Sequence, residues 1–319
     1  MHRHRPHPQT ALIALAVAAS LTAVSCEGNP PSPGPNATVT AARPLTDRDQ
    51  DVLHGAEQRL IQTCMAARGF RIWPVPRRPL PEDRDFPYVI DDVDWASRHG
   101  YGSDLQAQRE QLRTNDPNQR YLRRLQPADR RRAIAAYNGE QQSTERLQTR
   151  SPLGMTVTRT SDGCTAQAQK QLYGDLTAWF RADVVTGALP ALRRQQVVTD
   201  GEFRAAVKKW SACMQKRGLH YTDPNQARAA FIAPGTASED TARRRQEVRT
   251  AVAEAECAHD TGFTSVVERL DRRYDARLRA RYRAEVSNRL RMENAALPRA
   301  RALLSTDRTN TTTTSPTKE

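Results

Sequence analysis

The residues best suited to chemistry in this 319-residue chain are five cysteines, two histidines near the last of them, and one dense run of acids. Cys213, His220, Cys257 and His259 form a Cys2His2 set of the kind that holds zinc. Cys257 and His259 are two residues apart on a predicted helix, which points them roughly 200° away from one another. Cys64 and Cys164 have no histidines at matching spacing. The expectation is no metal site and no cofactor. Met65 and Met214 could suggest copper, but packing is the expected role of a thioether. A cysteine nucleophile needs a free thiolate and a base, whereas Cys64, Cys164, Cys213 and Cys257 are an even set that suits pairing. No Gly-x-Ser-x-Gly elbow, phosphate-binding glycine loop or His-Glu-x-x-His occurs, so no catalytic residue is assigned. Glu82, Asp83, Asp85, Asp91, Asp92 and Asp94 form an acidic loop whose spacing does not match a calcium loop. A carboxylate pair for glycan hydrolysis is the enzymatic reading of residues 82–94. Solvated acids facing arginines are the expected one. If a ligand groove exists, Trp73, Tyr88, Trp95 and Tyr101 would line it; a small hydrophobic core is the commoner use of such residues.

The fifth cysteine has a different setting. Arg3, Arg5 and three histidines precede an apolar run, Ala11 to Val24, that is too short to span a bilayer. The run ends in Ala23-Val24-Ser25-Cys26, which resembles the lipobox of bacterial lipoproteins, with Ala23 where Leu is usual. The resemblance implies cleavage before Cys26 and lipidation of Cys26, leaving four cysteines for an oxidising compartment. An ordinary signal-peptidase site would be cut at the same bond. Glu27 to Pro44 is rich in Pro, Gly, Ser, Thr and Asn and reads as a tether.

The expected layout is a signal peptide (1–25), a lipidated cysteine with a flexible tether (26–45), a first helical half (46–182), a second helical half with a long basic final helix (183–305), and a disordered tail (306–319). Removing residues 1–25 takes away two arginines and no acid, so the formal charge goes from +13 to +13 − 2 = +11. Nearly all the basic residues are arginine, as a GC-rich genome would give. The surplus also suits anionic partners, lipid headgroups or wall polymers rather than nucleic acid.

Composition favours helices: Ala, Leu, Arg, Gln and Glu dominate. Thr46 with Asp49 resembles a capping box for a helix to Arg68, stopped by Gly69. Phe70 to Gly102 carries five prolines and most of the early aromatics, and reads as a long loop packed against the body, with short strands expected at Arg71–Val75 or Tyr88–Ile90. From Leu105 the pattern reads as helical nearly throughout. Asp104 is placed to cap a helix to Arg113. Pro127 opens one to Asn138, stopped by Gly139. Others cover about Asp162–Tyr173, Leu176–Val198, Asp200–Arg217 and Ser238–Cys257. A last helix runs from about Thr264 to Asn294 or, kinked at Pro298, to Leu304. Nine arginines between Arg269 and Arg291 could set it along a membrane or partner; an exposed face with pairs such as Glu268–Arg272 is the plainer expectation.

One echo recurs. Cys64-Met65-Ala66-Ala67-Arg68-Gly69-Phe70 and Cys213-Met214-Gln215-Lys216-Arg217-Gly218-Leu219 both read Cys-Met-x-x-Arg-Gly-apolar at a predicted helix end. A duplicated helix–cap unit would favour Cys64–Cys164 and Cys213–Cys257 among the three possible pairings. With Asp223-Pro224, His99-Gly100-Tyr101-Gly102, and Gly163-Cys164 through Leu172-Tyr173-Gly174, the motif resembles a largely uncharacterised group of secreted proteins and lipoproteins of high-GC Gram-positive bacteria. That resemblance implies export and disulfides and supplies no catalytic residue. The expectation is a mainly α, membrane-anchored extracytoplasmic lipoprotein with a non-enzymatic binding or scaffolding role. A wall-active hydrolase or transferase is the alternative, and a solute-binding protein the third.

Overall fold

In the computed structural model, residues 42–232 and 241–312 are described, with side chains to 305. Cys26, the leader, the tether to residue 41 and the helix start expected at Ser238 lie outside the described residues. The body is mainly helical: α1 (Asp47–Ala67), α2 (Val93–His99), α3 (Ser103–Thr114), α4 (Pro117–Arg124), α5 (Pro127–Asn138), α6 (Cys164–Tyr173), α7 (Leu176–Thr199), α8 (Gly201–Lys216), α9 (Pro224–Ala229), α10 (Thr241–Asp260), α11 (Phe263–Arg281) and α12 (Arg283–Thr312). Among the described residues a single hairpin, β1 (Arg146–Arg150) and β2 (Thr156–Thr160), is antiparallel with Arg146 opposite Thr160.

The helix ends follow from local chemistry. Thr46 Oγ1 accepts from the Asp49 N–H at 3.2 Å, and the Asp49 carboxylate accepts from the Thr46 N–H at 3.1 Å, completing a capping box. At the other end the Gly69 N–H donates to the Ala66 carbonyl and the Phe70 N–H to the Met65 carbonyl. Gly218 and Leu219 repeat both bonds, to Gln215 and Met214. Both Cys-Met-x-x-Arg-Gly motifs are therefore Schellman caps, with Gly69 at φ 80° and Gly218 at φ 77°.

Each cap anchors one disulfide, Cys64–Cys164 and Cys213–Cys257, with Cα separations of 5.6 and 5.8 Å. The two methionines are buried, one in each half. The two arginines also act alike. Arg68 donates to the carbonyls of Ala136 and Asp162, the latter two residues before Cys164. Arg217 pairs with Glu256, beside Cys257, and with Asp260 at 3.1 Å. The echo ends there, because Cys164 opens α6 whereas Cys257 lies near the close of α10.

A small cluster of Leu147, Ala166, Leu176 and Phe180 lies under the hairpin, and the two larger cores do not divide the sequence at residue 182. The first gathers α1, α6, Trp179 of α7 and, from the far end, Ala296, Leu297 and Ala300 of α12. The second gathers α8, α10 and α11 around Trp210 and Phe263, and takes in Phe86 through Leu105 from the first half. α7 spans both, with Trp179 in one and Val197 in the other.

Four expectations are corrected. No strand forms at Arg71–Val75 or Tyr88–Ile90. The hairpin interrupts the helical run expected after Leu105; its alternating Thr156-Val157-Thr158-Arg159-Thr160 is a period-2 signal that helix-rich neighbours obscured. Asp104 does not cap α3, whose N-cap is Gly102; its carboxylate meets His99 Nδ1 at 2.8 Å instead. The final helix is broken at Tyr282 into α11 and α12, and α12 runs through Pro298 to Thr312, past the boundary expected at 305.

The caps predict opposite glycine effects. Gly218→Ala should lower stability by about 1–2 kcal/mol, since a side chain resists positive φ. Gly187→Ala, inside α7 with open space where its Cβ would stand, should raise stability by about 0.5–1 kcal/mol. Urea melts of both oxidised variants check the pair, and a gain at Gly218 would refute the capping account.

Candidate functional site

Trp73, Tyr88, Trp95 and Tyr101 do not line one groove. Trp73 stands apart, 37 % exposed and edge-on to Tyr121. Asn118 clamps its backbone: the Trp73 N–H donates to Oδ1 at 2.8 Å, and Nδ2 donates to the Trp73 carbonyl at 2.9 Å. Tyr88, Trp95 and Tyr101 are buried in the second core. Helix α10 turns Ala251, Ala253, Ala255 and Ala258 to this core, and the bulk of these aromatic side chains fills the space such small residues leave. The Tyr88 hydroxyl donates to Asp271 at 2.6 Å, tying the loop to α11.

Two carboxylates outside the acidic loop organise this region. Glu247 and Glu254 lie seven residues apart on α10, two turns along one face. Glu254 is 1 % exposed; it accepts from the Ile90 N–H at 2.9 Å and from the Tyr101 hydroxyl at 2.7 Å. Glu247 accepts from the Tyr101 N–H at 2.8 Å and from the Ser103 N–H at 3.2 Å, and pairs with Arg244 at 3.0 Å. Arg244 in turn donates to the carbonyls of His99 and Arg98. The reversal His99-Gly100-Tyr101-Gly102 thus threads Tyr101 between two glutamates. Gly100, at φ 58°, leaves room for this, since a Cβ there would lie 2.8 Å from Glu247 Oε1. The available signal was the alanine-rich run around Glu254: an acid flanked by alanines on a helix that buries its small residues.

Against this hub lies a cleft of about 330 Å³. Ile90, Trp95, Tyr101 and Phe86 supply its apolar wall, and Arg84, Arg109 and Arg228 its cations. Arg84 sits over the Phe86 ring at 4.9 Å and pairs with Asp92. Arg109 pairs with Asp83. Arg228 donates to the Phe86 carbonyl at 2.8 Å and has no carboxylate partner among the described residues. An aromatic wall beside guanidiniums can hold a ring-bearing anion.

The acidic loop is distributed among arginines. Glu82 pairs with Arg98 at 3.2 Å and Asp85 with Arg194 at 2.8 Å, and Asp92 caps α2. Asp91 is half-buried, which raises its carboxyl above the ordinary range. The Cys2His2 set is dissolved, because Cys213 and Cys257 are bonded to each other and His259 Nε2 lies 2.7 Å from the Asp91 carbonyl. Among the described residues no group of three or more His, Cys, Asp or Glu could hold a metal ion. None of their helices is long and apolar enough to cross a membrane.

Comparison of the chain with protein-family models, with curated proteins and with solved structures gives no match.

Burial lifts the Glu254 carboxyl from its ordinary 4.5 to about 7, with the Ile90 N–H, the Tyr101 hydroxyl and Arg228 opposing the shift. The folded chain therefore holds this proton more tightly than the unfolded chain. Its stabilisation is complete below pH 4.5 and is lost as pH rises through about 7. Glu254→Gln should remove this fall, which amounts to a few kcal/mol. Chemical denaturation at pH 5 and pH 8 checks it, and identical pH slopes in both proteins would contradict the assignment.

Proposed function

We propose that the chain is an extracytoplasmic lipoprotein, anchored through Cys26, whose helical body binds or scaffolds another component of the cell envelope without catalysing a reaction. The cysteine arrangement carries this reading. Four cysteines close two disulfides, and Cys26 is the one left over, placed directly after an apolar run and small residues. Disulfides persist in oxidising compartments, where a thiol left over needs an explanation, and acylation supplies one.

A binding role draws support from the cleft beside Tyr101. Its two lining acids, Asp83 and Asp85, are engaged by Arg109 and Arg194, and Arg228 is left as a guanidinium with no carboxylate partner among the described residues. Glu254, whose carboxyl is lifted well above the ordinary range by burial, is sealed beneath Tyr101 rather than open to a substrate. The ligand chemistry that fits is an anion with a planar or saccharide ring, such as a segment of anionic wall polymer.

Intact-mass measurement of material purified from membranes should give a chain that starts at Cys26, carries a diacylglyceryl group and has four oxidised cysteines. A full-length unacylated chain with free thiols would reject the anchoring. Crosslinking in intact cells should then trap an envelope component, and Arg228→Met should reduce that yield severalfold if the cleft is the binding site. Wall hydrolysis by the purified protein, lost on substitution of Asp91 and Asp92, would reject the non-enzymatic role.

A further inference from the structure

The basic surplus is not spread evenly once ion pairs are counted. On the long C-terminal helices, where arginines are densest in sequence, most are engaged. Arg269 and Arg273 pair with Glu202, Arg279 with Asp275, Arg272 with Glu268, and Arg289 with Asp183 and Glu293. Arg277 and Arg281 lie over Tyr274 and Tyr282.

The segment Pro117–Asn138 differs. It carries six arginines and one acid, Asp129. Arg132 takes that acid. Arg130 donates to the carbonyls of Leu122, Arg123 and Leu125, filling the open end of α4. Arg120, Arg123, Arg124 and Arg131 remain exposed, with no side-chain partner among the described residues. Arg120, Arg123 and Arg124 share one face of α4 by their i, i+3, i+4 spacing.

The same two helices border an apolar cleft of about 270 Å³, with Arg71 among its lining residues. Trp73, Val75 and Ile134, which line it, are three of the few large apolar side chains the described residues leave exposed, at 37, 45 and 45 %. By helix spacing Arg131 lies one turn from Ile134 on α5, and Arg123 and Arg124 adjoin the cleft-lining Gln119 and Tyr121 on α4, so guanidiniums flank the exposed Trp and aliphatic groups, with cations for phosphate headgroups and apolar side chains for the acyl boundary.

We propose that the α4–α5 face, with Arg120, Arg123, Arg124, Arg131 and the neighbouring Trp73 cleft, rests on an anionic phospholipid bilayer. The anchoring proposed above sets the scene and is assumed here. Sixteen steps separate Cys26 from Ala42, and at about 3.3–3.6 Å each they reach at most roughly 55 Å, so an anchored body stays within that distance of the headgroups and can touch them. The partner is chosen by charge and by the exposed apolar residues; a soluble polyanion would match the first but not the second.

The described residues from Ala42 onward form one compact unit. The test therefore uses the chain from Glu27 onward with both disulfides formed, which has neither the apolar leader nor Cys26. It should cosediment with phosphatidylglycerol–phosphatidylcholine vesicles at least tenfold better than with pure phosphatidylcholine. Replacing Arg120, Arg123, Arg124 and Arg131 with Gln should weaken that binding at least tenfold, while replacing Arg272, Arg277, Arg281 and Arg283 with Gln should leave most of it. Trp95, Trp179 and Trp210 are buried, so quenching of the unsubstituted chain by brominated lipid reports on Trp73. That quenching is expected and does not depend on how the variants fold. Equal partition onto both vesicle types, equal loss in the two arginine variants, or no quenching would overturn the proposal. None of these results bears on whether Cys26 is acylated, which the intact mass decides separately.

Discussion

Two carboxylates on one face of α10 hold the middle of this molecule together. Glu247 and Glu254 accept hydrogen bonds from the backbone at Ile90, Tyr101 and Ser103, groups that have no helix or sheet to satisfy them. A proline-rich loop taken out of water needs such acceptors, because unpaired amides are costly to bury. Once they are met, Phe86, Tyr88, Trp95 and Tyr101 can be added to a core that α8, α10 and α11 alone would leave short of large side chains. Burying Glu254 has its own cost, visible as a carboxyl that keeps its proton to about neutral pH. The fold accepts an ionisable group in its interior in exchange for closing a loop.

The repeated cap solves a related problem. Helix ends leave carbonyls open, and the Schellman turn at Gly69 and Gly218 fills them with two amides each. A helix end fixed in this way holds its cysteine steady for a cross-link. The adjacent arginine reaches chain beside the partner cysteine in both halves. Six residues thus combine a stop, a core contact, a bridge and a covalent bond. The unlike settings of Cys164 and Cys257 show that the repeat concerns this unit and not the halves as wholes.

Local signals in the sequence are legible, and long-range ones are not. Thr46 with Asp49, Pro127 with Gly139, and Asp200 with Gly218 marked helix limits because each acts within a few residues of itself. The disulfide pairing was legible only because the motif repeats. The roles of Trp95 and Tyr101 were not, since aromatic residues in a loop look alike whether they face a ligand or a core. Glu254 was overlooked for a comparable reason: an acid within a helix ordinarily faces water, and only the approach of a loop more than 150 residues away makes it an interior acceptor. α2, α4 and α9 are short elements that need their neighbours, so their periodicity was too brief to register.

The exchange of segments between the cores orders assembly in time. Helix α1 leans on Ala296, Leu297 and Ala300, residues synthesised near the end of the chain. Until that stretch emerges, the N-terminal core has an open side, even though Cys64 and Cys164 have long been available to each other. The other core has its last fully buried member at Leu270 and its flanking Tyr274 only four residues later. The half made first is therefore finished last, and a chain stopped short near Tyr282 would keep one complete nucleus and expose the apolar flank of its opening helix to whatever chaperone or protease meets it.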